Sequence, residues 1–107
     1  MTDFIQVTTV ASSQKEAENI ARALLEARLA GCIQMFGPVS STYWWQGAIE
    51  SAQEWACYIK TNRQLYPQVE ATIRRLHSYK VPEILVSSVV TGNHDYLKWL
   101  DGELAKI

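Results

Sequence analysis

The chain has 107 residues, 48% of them hydrophobic and 20% charged, which predicts one globular domain spanning 1–107 with a genuine core and excludes a disordered or low-complexity polypeptide. Ten basic against eleven acidic side chains give a net charge of -1, so there is no broad basic field for a phosphate backbone and nucleic acid is not an expected partner. No apolar run approaches the roughly 20 residues of a membrane span, and the opening Met-Thr-Asp-Phe-Ile lacks the basic and apolar segments of a signal peptide; the expectation is a cytoplasmic protein with no membrane partner.

Taken in order, Phe4 to Thr9 is rich in β-branched and aromatic types and reads as a strand. A helix opens at Ser13, where Ser13 and Glu16 have capping-box spacing. Ala17, Ile20, Ala21, Leu24, Leu25 and Leu29 recur at helical intervals, with Lys15, Glu18, Arg22 and Glu26 mostly outside that stripe, and the helix is expected to end near Gly31. Cys32 to Phe36 is a short apolar strand, and Gly37-Pro38 predicts a bend or bulge before the chain resumes.

The stretch from Ser41 to Thr61 organises the rest. Gln46-Gly47 supplies a tight reversal between two β-forming arms, so a hairpin is expected. Strand alternation sends Tyr43 and Trp45 to one side and Trp44 to the other. Each aromatic carries roughly 150 to 250 Å² of surface, so leaving one in water forfeits on the order of 4 to 6 kcal/mol at about 25 cal/mol per Å². One small core can cover only one face of such a tip. Tyr43, Trp44 and Trp45 are therefore expected at an interface with another subunit; the alternative is cover from the chain's own carboxy-terminal helix around Trp99. The return arm, Glu54 to Thr61, sets Trp55, Cys57 and Ile59 against Ala56, Tyr58 and Lys60.

Asn62 is a cap for a second helix carrying Leu65, Val69, Ile73 and Leu76, with Pro67 in its first turn and an end by Tyr79, since Pro82 disfavours helix at Val81. Ile84 to Thr91 reads as a strand covered on both faces. Gly92-Asn93 turns the chain, and Asn93 caps a last helix with Leu97, Leu100 and Leu104 inward. The order β, α, β, β, α, β, α gives an α+β fold of ferredoxin-like type: an antiparallel sheet with helices on one face and a carboxy-terminal helix added.

Chemistry-bearing residues are few. His77 at the end of the second helix is a candidate metal ligand or proton carrier; its bland reading is a favourable charge at a helix end. Cys32 and Cys57 are too far apart for a paired redox or zinc motif, and buried reduced thiols are the default. No nucleophile and base form a recognisable pair and no glycine-rich phosphate loop is present, so no catalysis is expected. Lys60 could face an anion in a cleft between subunits, with Glu83 as a possible pairing residue.

Four blocks carry a family resemblance: Ala30-Gly31-Cys32-Ile33, Ser41 through Gly47, Tyr58-Ile59-Lys60-Thr61, and His77 through Ile84. Gly92-Asn93 and Tyr96-Leu97 with Trp99-Leu100 close the match. Together they resemble the CutA divalent-cation tolerance proteins over essentially the whole chain. The resemblance implies a compact homotrimer in which hairpin arms pair with neighbouring subunits, a cytoplasmic location, and copper or another divalent cation as ligand, with no organic cofactor. It implies His77 as a metal candidate and Cys32 as the family's common cysteine; Thr9 and Leu76 stand in place of the first-strand cysteine and second histidine that have been associated with copper. The trimer also resembles PII signalling proteins in architecture, which implies the alternative of a regulator binding a small anion in a cleft near Tyr58, Lys60, Tyr79 and Glu83. A structural interaction module is the third reading.

Overall fold

The computed structural model describes residues 1–106. Its elements are β1 (Phe4–Ala11), α1 (Gln14–Glu26), β2 (Cys32–Trp45), β3 (Ala48–Asn62), a single 3-10 turn (Arg63–Leu65), α2 (Tyr66–Leu76), β4 (Ile84–Ser88) and α3 (His94–Glu103). The four strands form one antiparallel sheet in the order β2-β3-β1-β4, which is the ferredoxin-like arrangement.

β1 alternates cleanly, with Ile5, Val7, Thr9 and Ala11 buried. Across from it, Cys57, Ile59 and Thr61 of β3 are buried too. α1 lays Ala17, Ile20, Ala21 and Leu24 on this surface, and α2 adds Val69 and Ile73. The core is therefore a sheet face closed by two amphipathic helices, with Leu65, Leu100 and Leu104 filling its margins. The opposite face of the sheet, which carries Gln6, Thr8, Val10, Cys32, Gln34, Tyr58 and Lys60 by strand alternation, receives neither α1 nor α2.

The caps differ from expectation by small but physical margins. Ser13 Oγ accepts the amide of Glu16 at 3.1 Å. The return bond runs from the Ser12 amide to Glu16 Oε2 at 3.3 Å, one residue earlier than a capping box would place it. α1 stops at Glu26 rather than near Gly31, because Arg28 adopts a left-handed φ of 59° and the Leu29 amide bonds back to Leu24 O at 2.9 Å. Gly31 serves packing instead: a Cβ there would meet Leu100 Cδ1 at 2.5 Å. Asn62 and Asn93 cap as expected, through the amides of Leu65 and Tyr96 at 3.0 Å each.

The hairpin is longer than its sequence limits implied. β2 runs unbroken through Gly37-Pro38, where the bulge appears as a register shift between Phe36 and Val39. Gln46 and Gly47 both take positive φ, 49° and 83°, the twist-matched turn for a two-residue hairpin loop. The arm makes the molecule elongated, 45 × 25 × 21 Å.

β4 corrects a second expectation. It spans only Ile84–Ser88, pairs with β1 alone, and leaves Leu85 62% and Val86 45% exposed. An edge position explains this: α1 and α2 lie over the middle of the sheet, so the apolar run is not covered on both faces within one chain.

Candidate functional site

At the end of the arm Tyr43, Trp44 and Trp45 are 39%, 72% and 50% exposed, and Ile49, opposite Trp44, is 63% exposed. α3 does not cover them. Leu100 packs on Gly31 and Glu103 binds Arg28 at 2.6 Å, which anchors α3 at the start of β2. The tip lies roughly 40 Å away along the strand. The reading in which Trp99 shelters the tip is therefore overturned; Trp99 packs at a tilt against Tyr96, with ring centroids 5.6 Å apart.

His77 caps α2, and its ring is fully buried. Nε2 lies 2.6 Å from the carbonyl oxygen of Val10, and Nδ1 accepts the Tyr79 amide at 3.0 Å. That pattern is the neutral imidazole with its proton on Nε2, assigned from the hydrogen-bond network. Both nitrogens are spent inside the chain, which corrects the expectation of a metal ligand and equally that of a charged helix end. Glu16 completes the staple: its Oε1 accepts the Ser78 amide at 3.0 Å and its Oε2 sits 3.7 Å from Nδ1. The start of α1 and the segment after α2 are thereby tied together.

Tyr79 reaches onto the sheet's open face, where its hydroxyl donates to Glu54 Oε2 at 2.7 Å. Glu54 is only 5% exposed. Burial first, then the Glu54 hydrogen bond and charge, push the Tyr79 phenol far above its ordinary value.

Cys32 lies opposite Lys60 on the open face, with its thiol beside Tyr96, whose phenol is raised first by burial and then by Cys32. Cys57 faces the core and points its thiol at Ala17 O, and burial pushes it up to about 11. The two thiols occupy opposite faces, and both are free. Cys32 and His77 are not brought together either. His77 is held at Val10, which pairs with Ala56, whereas Cys32 pairs with Lys60; two strands and four residues separate them, roughly 15 Å. Among the described residues no three His, Cys, Asp or Glu side chains converge on a cation-sized space. The described residues of one chain therefore supply no three-ligand set for a divalent cation.

Of the expected cleft residues, Tyr58 and Lys60 share the open face of β3, and Lys60 Nζ donates to Gln34 Oε1 at 2.7 Å. Tyr79 joins Glu54 instead, and Glu83 stands just before β4. Glu54, Glu16 and Gln34 are not among the site residues expected from the sequence. Alternation along β3 puts Glu54 on the Tyr58 face, but no sequence signal indicates that Tyr79 buries it.

These features define a class: a ferredoxin-like domain with a long aromatic β-arm, an uncovered apolar edge strand and an open sheet face. Residues 5–103 match the family model described as CutA1 divalent ion tolerance protein, and the chain belongs to that family. It is 40% identical over 101 residues to the divalent-cation tolerance protein CutA of Archaeoglobus fulgidus, covering 94% of this chain and 96% of that one. It is 39% identical over 88 residues to the Thermus thermophilus protein of the same name, covering 82% and 85%. The crystal structure of CutA from Xylella fastidiosa superposes with a TM-score of 0.94 at 34% identity, covering 97% of this chain and 100% of that one.

Proposed function

We propose that this chain acts in divalent-cation tolerance as a non-catalytic, cytoplasmic homotrimer, and that copper or another divalent cation is held by ligands from more than one copy. The observation that carries this reading is the uncovered apolar surface of a single chain: Trp44, Trp45 and Ile49 on the arm, Leu85 and Val86 on the edge strand. Large exposed apolar side chains on an extended arm and on a sheet edge are what subunit interfaces cover. The names of the relatives supply the tolerance role.

Sedimentation of the full chain tests the assembly, with three copies expected at micromolar concentration; a folded monomer there would refute it. Calorimetry with copper tests the ligands. His77→Gln should leave copper affinity within twofold of wild type, since neither ring nitrogen is free, and a tenfold loss would restore His77 as a ligand. A cell-fractionation measurement finding the protein outside the cytoplasm would refute the location.

A second reading, a regulator that binds a small anion, is favoured by one specific observation: among the described residues the Lys60 ammonium on the open face has an amide oxygen and no carboxylate as its partner.

A further inference from the structure

The two flanks of α3 face different surroundings. Leu100 and Leu104 are buried, and Leu100 holds the helix against Gly31. Tyr96 and Trp99 pack on each other along one flank, where Tyr96 meets the Cys32 thiol. His94, Leu97, Lys98 and Asp101 recur at intervals of three and four on the other, which at about 100° per residue is half a turn around the axis from the aromatic pair.

This second flank lines a cavity of about 470 Å³, within the roughly 300 to 1,000 Å³ of small-molecule sites. The opposite wall is the last rung of the sheet, Phe4 of β1 paired with Asn62 of β3, together with Asp3 just before it. The cavity therefore opens at the end of the sheet and not on the face that α1 and α2 leave uncovered.

Its charged groups reduce to one of each sign. Asp101 is paired with Lys106 at 3.2 Å rather than with Lys98 three residues before it. Asp3 and Lys98 line the same space, yet neither pairs with the other or with any charged side chain among the described residues. Each is anchored separately: the Asp3 carbonyl accepts the Arg63 amide at 2.9 Å, while Lys98 rides on the helix that Leu100 fixes at Gly31. Half-buried Phe4 and Leu97 supply the apolar part of the lining. The Asn62 side-chain oxygen is taken by the Leu65 amide at 3.0 Å, which leaves its amide hydrogens to donate.

A singly charged ligand here would leave one of the two wall charges uncompensated, whereas a molecule with both an ammonium and a carboxylate answers each with a charge-assisted hydrogen bond. We infer that this cavity binds a small zwitterion with an apolar body, an α-amino acid of the leucine type. Asp3 takes its ammonium, Lys98 and Asn62 take its carboxylate, and Phe4 and Leu97 receive its side chain. The site shares no residue with the cation role or the Lys60 reading above, so its failure leaves both untouched.

The test is a titration of leucine into the full isotope-labelled chain, followed through amide chemical shifts. Isocaproate and isoamylamine serve as probes that keep the apolar body and lack the ammonium or the carboxylate. Saturable shifts at Asp3, Asn62 and Lys98 are expected with leucine, and each singly charged probe should bind at least tenfold more weakly. Asp3→Asn and Lys98→Gln should each weaken leucine at least tenfold, while Lys15→Gln on α1 leaves it unchanged. Both wall side chains are exposed, and circular dichroism checks each fold; should a variant misfold, the comparison of the three probes on the wild-type chain still decides. Absence of saturable shifts at these amides overturns the site. So does either singly charged probe matching leucine, or leucine affinity that survives both substitutions.

Discussion

Truncating Trp44 to alanine isolates the role of the arm, because most of the indole is uncovered in a single chain. It is 72% exposed, and its cross-strand neighbour Ile49 is 63% exposed. With roughly 150 to 250 Å² on a tryptophan, that exposure leaves on the order of 110 to 180 Å² for a neighbouring copy to cover. At about 25 cal/mol per Å² full cover is worth about 3 to 4.5 kcal/mol per copy, as an upper figure. Alanine keeps a fraction of the contact, so Trp44→Ala should cost about 2 to 3 kcal/mol at each arm and weaken subunit association roughly 30- to 150-fold per contact. A dilution series followed by sedimentation velocity reads the shift in the dissociation midpoint, while far-ultraviolet circular dichroism confirms that the dissociated chain keeps its secondary structure. An unchanged midpoint, or wild-type indoles already shielded from quencher in a folded monomer, would refute the reasoning.

Other substitutions address the interior. The hydroxyls of Thr9 and Thr61 are buried without a hydrogen-bond partner among the described residues; Thr9→Val and Thr61→Val keep the shape, so each should raise stability by on the order of 1 kcal/mol in a denaturation experiment, and a loss would mean the hydroxyl is satisfied. Gly37→Ala should destabilise by about 1 to 3 kcal/mol, because a Cβ there overlaps the Trp55 indole; an unaltered melting temperature would show that the indole can swing aside. Cys57 gives a pH signature. Its thiol lies at about 11 in the fold against 9.0 when free, so the unfolded chain loses its proton first and stability falls as pH rises between those values, by on the order of 1 kcal/mol per pH unit. Cys57→Val should flatten that slope relative to wild type, whatever it does to the overall stability; an equally steep slope would assign the loss to other groups.

The fold was readable because its determinants are local. Apolar residues at three- and four-residue spacing in α1 and α2, the side-chain caps at Ser13, Asn62 and Asn93, and the left-handed pair Gln46-Gly47 each act within a few residues of themselves. Where local signals were ambiguous, tertiary position decided. Ile84 to Ser88 has the composition of a buried central strand, yet its place in the sheet order makes it an edge. Gly31 looked like a helix stop because glycine accepts positive φ, but Arg28 takes that conformation, and Gly31 makes room for Leu100.

Site chemistry depends on contacts that no spacing encodes. His77 is the residue type that invites a metal assignment, and the carbonyl that occupies its Nε2 belongs to Val10, 67 positions earlier. Glu83 was the pairing residue expected for Lys60, whereas its partner Gln34 is 26 positions away on another strand and Gln6 sits across from it on a third. In both cases the side chain's capacity was legible and its occupancy was not. That distinction also orders the two faces of the molecule. The core face uses its few polar groups up internally or leaves them stranded, as at Thr9 and Thr61, and so stabilises the subunit without offering a site. The open face carries Lys60 with a neutral amide partner among the described residues, and it lies on the same molecule as the exposed apolar arm and edge. Bonding capacity is therefore left over at Lys60, whereas both ring nitrogens of His77 already have partners.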